Sequence, residues 1–153
     1  MVWYYDGKEF DENLITDDIV GFVYIIRNLV SGRAYIGQKK ARSTTRRKLA
    51  SGKKKKIVKA SDWKSYYGSS AELQADVASL GEEKFSREIL HLCTSKAAMN
   101  YLELQEQIDR RVMLSDAYYN SYLGGRISKK HLGALRKDSS SCNIAPPQKS
   151  KKA

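Results

Sequence analysis

Residues 21–37 constrain the fold most. Gly21-Phe22-Val23-Tyr24-Ile25-Ile26-Arg27 and Arg33-Ala34-Tyr35-Ile36-Gly37 are both rich in β-branched and aromatic side chains, which favour a pleated, half-buried strand. Asn28-Leu29-Val30-Ser31 lies between them, ahead of Gly32, and reads as a hairpin turn. With that loop, Arg27 faces Gly32 and Tyr24 faces Tyr35. Side chains alternate along a strand, so Val23, Ile25, Ala34 and Ile36 share one face, predicted to be a core face. The other face presents two tyrosines side by side.

Such a hairpin needs partners to bury it. Phe85-Ser-Arg-Glu-Ile-Leu-His-Leu92 suits a third strand. Residues 71–80 read as a short amphipathic helix, with Ser69 or Ser70 as N-cap and Gly81 as stop. Residues 96–114 read as the longest helix, with Ser95 as N-cap. Val2–Phe10 forms a small hairpin around Asp6-Gly7, and an acidic linker runs from Asp11 to Asp18. The fold class is therefore α/β (α+β), a small three-stranded antiparallel sheet flanked by helices, with the N-terminal hairpin as an addition. Three regions follow: 1–20, hairpin and linker; 21–123, the domain; and 124–153, a basic tail. The tail is expected to be disordered over most of 137–153, where Ser, Pro and Lys dominate.

Charge narrows the function. Residues 38–64 hold twelve Lys or Arg against a single acid, Asp62, whereas residues 1–20 carry six acids and one Lys. The segment has little apolar content and no clear period. A short helix is expected near Arg42–Leu49, and the Lys53–Lys56 run reads as a loop that moves until bound. Clustered positive charge is the footprint of a polyanion partner, most often nucleic acid. A membrane surface is the rival, but no basic amphipathic helix is visible. No apolar run is long enough to span a bilayer, and Met1–Asp6 lacks the pattern of a secretion signal. Two cysteines (Cys93, Cys142) and two histidines (His91, His131) argue against a disulfide scaffold or structural zinc. A reducing cytoplasmic setting is expected.

Phe22-Val23-Tyr24 and Tyr35-Ile36-Gly37, whose tyrosines are eleven positions apart, resemble the two name-giving motifs of the GIY-YIG nucleases. A basic segment, a glutamate-bearing helix and then Tyr119-Asn120 follow in the family's order. The resemblance covers about residues 21–121. Ser61-Asp-Trp-Lys-Ser-Tyr-Tyr-Gly-Ser-Ser70 also resembles the phage-encoded, free-standing homing type. Two departures stand out. Phe22 occupies the place of the first motif's Gly, with Gly21 one residue earlier. Several arginines compete for the place of the family's catalytic one.

The resemblance implies a DNA endonuclease with one divalent ion, Mg²⁺ or Mn²⁺, and no small-molecule cofactor. Phosphodiester hydrolysis needs an activated water, a metal anchor and positive charge on the phosphate. By carry-over, Tyr24 is the candidate general base or water activator. An ordinary tyrosine titrates near 10, so nearby lysine or metal charge is needed to lower it, and Lys39 and Lys40 could supply that charge. Tyr35 orients water or phosphate, and Gly37 allows close backbone approach. The arginine is Arg46 or Arg47, with Arg42 a third candidate. Lys39, Lys40, Arg42 and Lys53, Lys54, Lys55 and Lys56 are candidate DNA contacts. Asn120 bonds backbone or phosphate. The metal anchor is a single glutamate on the long helix, Glu106 or Glu103. A helical projection puts Tyr101, Leu104, Ile108 and Val112 in the apolar stripe, Glu106 at its widened edge and Glu103 toward solvent, which favours Glu106. Their packing alternatives remain open: cross-strand partners for the tyrosines and an i,i+4 pair with Arg110 for Glu106. His91 reads as core or sheet face, Cys93 as a small buried residue, and Trp63 as packing. The sequence leaves the oligomeric state open.

Overall fold

The computed structural model describes residues 2–124 and 127–132. Tyr4–Tyr5 (β1) and Lys8–Glu9 (β2) form the expected hairpin. Asp6 and Gly7 both have positive φ, 50° and 75°, as a two-residue turn that matches strand twist requires. Gly21–Asn28 (β3) pairs antiparallel with Ala34–Lys40 (β4). Arg42–Lys48 (β5) and Lys54–Ala60 (β6) form a separate two-stranded ribbon. Ala71–Leu80 (α1) follows, capped by Ser70 and stopped by Gly81. Phe85–Cys93 (β7) leads into Lys96–Asp109 (α2), capped by Ser95. Tyr122–Leu123 (β8) and Ile127–Ser128 (β9) form a last short pair.

The main sheet has five strands in the order β2-β1-β7-β3-β4. Three are those expected. The other two come from the N-terminal hairpin, which is part of the sheet: β1 runs parallel to β7, with Tyr4 opposite Glu88. Trp3 is 3% exposed and belongs to the core. The expected boundary after residue 20 therefore runs through one sheet. The tail expected to be disordered, residues 137–153, lies outside the described residues.

Both sheet faces are packed. Val23, Ile25, Ala34 and Ile36 face Met99, Val112 and Met113. Phe22, Tyr24 and Ile26 face Trp3, Trp63, Tyr67 and Leu73. The tyrosine face is thus a second core, closed by an aromatic cluster in which Trp3 stands edge-on to Phe22 and Tyr24. Trp63 packs there as expected.

Three local expectations need correction. The β3–β4 register is shifted by two residues: Arg27 lies opposite Ala34 and Tyr24 opposite Gly37, because the loop is longer. An even shift preserves the facing of every side chain, so Tyr24 and Tyr35 stay on one face as diagonal neighbours, with centroids 6.2 Å apart. Where a helix is expected near Arg42–Leu49, Arg42–Lys48 is strand, and Lys54–Lys56 lie in the ribbon rather than a loop. Thr44-Thr45 and Ile57-Val58 supply its β-branched pairs. Finally, α2 ends at Asp109. Arg111 takes a left-handed conformation (φ 52°), and the chain turns into a short 3-10 segment, Val112–Leu114.

A bulge interrupts β7. Val23 pairs with His91 but Tyr24 pairs with Ile89, leaving Leu90 as the extra residue. In an unbroken strand, His91 and Ile89 would share a face. The bulge sends Ile89 to the aromatic core and His91 to the α2 side, and bulges commonly re-aim side chains beside functional sites.

Candidate active site

β4 is an edge strand, and the site is built along that edge. At its start, the backbone of residues 117–119 covers it: Ala34 N–H donates to Ala117 O and Tyr119 N–H to Ala34 O. One step on, the Asn120 side chain takes over. Its Oδ1 accepts from Ile36 N–H at 3.0 Å and its Nδ2 donates to Ile36 O at 2.7 Å. The amide thus pairs with the Ile36 peptide as a neighbouring strand would. Of the two roles expected for Asn120, the backbone bond is the one observed.

Past this clamp a pocket opens. Tyr35, Gln38, Asn100, Glu103, Gln107, Asn120 and Tyr122 are among its walls. Tyr35 Oη bonds Ser69 Oγ at 2.7 Å. Tyr24 lies beneath, 1% exposed, with the Tyr66 ring edge-on to it, centroids 6.0 Å apart. Gly37 sits directly over Tyr24. A Cβ there would lie 2.5 Å from Tyr24 Oη and 2.8 Å from the Tyr35 ring, a separation no side chain tolerates. Gly37 is therefore required by the packing of the two tyrosines.

Burial raises the pKa of Tyr24 well above 10, and Tyr35, Tyr66 and Glu103 push it the same way. The expectation that Lys39 and Lys40 lower it fails. Lys39 Nζ lies over the Tyr66 ring at 3.7 Å and pairs with Asp62 Oδ1 at 2.6 Å, while Lys40 is exposed. Burial also raises Tyr35. Burial thus favours the protonated form of both hydroxyls.

The helical projection of α2 was misleading. Tyr101 and Ile108, placed in its apolar stripe, are 67% and 60% exposed. The face turned to the sheet carries Met99, Glu106 and Gln107. Its polar groups are tolerated because they are hydrogen-bonded, which the apolar period cannot register. Glu106 Oε1 meets His91 Nε2 at 2.7 Å and Glu106 Oε2 accepts from Arg110 Nε at 2.9 Å. It is bonded to a partner on each side, and it is not among the pocket walls. Glu103, expected toward solvent, lines the pocket instead. Gln107 Nε2 donates to its Oε1 at 3.5 Å, and burial raises its pKa above the ordinary value.

Could these walls hold a divalent ion? Among the described residues there is no cluster of three His, Cys, Asp or Glu side chains. The pocket offers one carboxylate, Glu103, and two amide oxygens, Gln38 Oε1 and Gln107 Oε1, which are buried without a hydrogen-bond partner. Carboxylate and amide oxygens are hard donors of the type Mg²⁺ accepts alongside phosphate and water. The donor set fits.

No arginine lines the pocket among the described residues. Arg46 and Arg47 lie exposed on the ribbon, opposite Lys56 and Lys55. Arg42 clamps the linker: its guanidinium donates to the carbonyls of Thr16 (3.1 Å) and Ile19 (3.0 Å). Lys53, Lys54, Lys55 and Lys56 are exposed at the ribbon's far end.

Several positioning residues carry little signal in the sequence. Arg87, on β7, is 1% exposed. It donates to the carbonyls of Lys64 and Tyr66, both at 3.0 Å, and lies between the Trp3 and Tyr67 rings. It thereby holds the 63–67 segment, and so Tyr66, against Tyr24. Gln38, Asn100 and Gln107 also went unmarked. The single usable signal was adjacency, since Gln38 follows the second motif directly.

A family model described as "Putative endonuclease segE, GIY-YIG domain" matches residues 3–123. The chain belongs to this GIY-YIG family. Its match starts at Trp3, one residue before the first strand of the sheet, rather than at residue 21. No match was found among curated proteins or solved structures. The chain thus carries an endonuclease domain, and its substrate is DNA. No described helix is long and apolar enough to cross a membrane.

Proposed function

We propose that the protein hydrolyses DNA phosphodiester bonds with one divalent ion, Mg²⁺ or Mn²⁺, held through Glu103. The observation that carries this reading is the convergence in one pocket of Tyr35, Asn120, Glu103 and two unpartnered amide oxygens. Gln38 and Gln107 are the further donors. When bound, such an ion lowers the pKa of water and stabilises charge on phosphate oxygen.

The chain's own groups supply the rest. Tyr35 donates its hydroxyl proton toward phosphate or the attacking water. Tyr24 holds Tyr35 and Gly37 in place from below, in a water-excluded layer where fixed dipoles act strongly. Lys39, which by strand alternation shares the face of Tyr35 and Gly37, is the candidate cation for the phosphate. Glu106 is a packing residue in this reading. The Ser61–Ser70 resemblance supports a free-standing phage homing enzyme, working in the cytoplasm of the infected host.

The test is nicking of supercoiled plasmid with and without Mg²⁺ by wild type, Glu103→Ala and Glu106→Ala. Metal-dependent nicking lost only in Glu103→Ala supports the reading. Loss only in Glu106→Ala returns the metal to Glu106. Binding without cleavage by wild type on every plasmid tried would sink hydrolysis and leave a DNA-binding module.

A further inference from the structure

The β5–β6 ribbon is an unusual object. Residues 42–60 contain nine Lys or Arg and no acid. Three consecutive cross-strand pairs join like charges: Arg46 to Lys56, Arg47 to Lys55 and Lys48 to Lys54. Directly opposed like charges destabilise a strand pair, and no carboxylate within the ribbon offsets them. The arrangement suits a ribbon whose charges are met from outside.

The faces identify by what. By alternation, Arg46, Lys48, Lys54 and Lys56 lie on one side, and Arg47, Lys55 and Lys59 on the other. Residues 43–56 are exposed. A ribbon lying on a flat anionic surface needs only one basic side. One that is basic on both sides matches two phosphate walls facing each other. The major groove of B-form DNA, about 12 Å wide, admits a two-stranded β-ribbon. Seven residues per strand extend about 23 Å at a rise of roughly 3.3 Å, enough to follow the groove.

The base of the ribbon is fixed to the site. Ala41, 2% exposed, joins β5 to β4, Ala41 N–H bonds Val20 O, and Ser61 N–H bonds Ala41 O. Arg42 locks the same corner to residues 16–19. DNA gripped by the ribbon is thereby referenced to the strand carrying Tyr35 and Gly37.

We infer that the ribbon inserts into the DNA major groove and contacts the phosphates of both strands, its two sides taking one wall each. This rests on DNA as the substrate but not on the metal or on Glu103.

The test uses the full chain and a 30-base-pair duplex in EDTA, with binding followed by anisotropy across a salt series. Two variants each remove two charges from one side: Lys54→Gln/Lys56→Gln and Lys55→Gln/Lys59→Gln. Each removes two phosphate contacts, so each should flatten the log–log salt slope by about 1.8 and weaken binding several-fold at 0.1 M salt. Methyl green, a major-groove ligand, should compete, whereas distamycin, a minor-groove ligand, should not. A response from one variant alone means flat contact and overturns the two-wall insertion. No response from either removes the ribbon from the interface. Competition by distamycin alone, or equal slopes on duplex RNA, whose major groove side chains cannot enter, overturns the groove. Plasmid nicking by wild type in parallel reports separately on hydrolysis: its failure with these slopes intact sinks the nuclease reading and leaves the ribbon standing.

Discussion

Glu103 and Glu106 lie three residues apart on one helix, and their surroundings give them opposite tasks. Glu106 is bonded to His91 and Arg110. Removing one partner of a buried ion pair leaves the others uncompensated, so Glu106→Ala should cost about 3 kcal/mol, read as a lowered Tm. Among the described residues Glu103 forms no ion pair, and burial raises its pKa. A carboxyl whose pKa is raised by folding penalises the folded state when ionised, at pH above its folded value. Glu103→Gln should therefore raise the Tm at pH 7 while abolishing metal-dependent nicking. The same shift sets the acid limb of the rate. Metal binding needs the carboxylate, so activity should fall, with decreasing pH, at a point above the ordinary glutamate value of 4.5, measured as nicking rate against pH. A limb at or below 4.5 would contradict the burial argument. At Tyr35, loss of the hydroxyl in Tyr35→Phe removes one preorganised donor, which should slow nicking on the order of 100-fold with DNA affinity retained.

At the scale of elements, the edge of β4 is where sheet and site meet. Asn120 closes Ile36 by a paired hydrogen bond. Asn120→Ala should leave the Ile36 N–H without its partner, at about 1–3 kcal/mol. Amide exchange at Ile36 should accelerate selectively; unchanged protection there would mean another group covers the edge. The elements themselves were largely readable from the sequence. Helix α1 carries its own cap and stop in Ser70 and Gly81, and the β1–β2 turn is written in Asp6-Gly7, because capping and turn chemistry are local. The ribbon was not readable. Residues 42–48 have neither an apolar period nor a turn signal, and their strand state depends on pairing with residues 54–60. The inward face of α2 was misread for a related reason. Its polar groups are satisfied by partners from β4 and β7, over which a single-helix projection has no information.

For the whole molecule, the N-terminal hairpin decides what folds. Trp3 is packed against Phe22, Tyr24 and Arg87, and its indole donates to Trp63 O at 3.0 Å. Truncating a buried tryptophan costs about 3–5 kcal/mol, so Trp3→Ala should give a large fall in Tm. A chain beginning at residue 21 should lose cooperative unfolding, as followed by near-UV circular dichroism. A native-like spectrum from that truncated chain would make the hairpin an ornament.

By itself, the sequence determined the family, through the tyrosine motifs and Tyr119-Asn120, and the DNA partner, through its clustered charge. It also determined the shared face of Tyr24 and Tyr35, since strand alternation survives an even shift in register. Only the tertiary structure decided which glutamate enters the pocket, that His91 turns toward α2, and that the basic segment is a two-faced ribbon. Each of these depends on contacts between residues distant in the chain: a bulge in β7, amide partners on β4, and a strand paired across a loop. Period and composition describe one segment at a time, while a site is made where several segments meet.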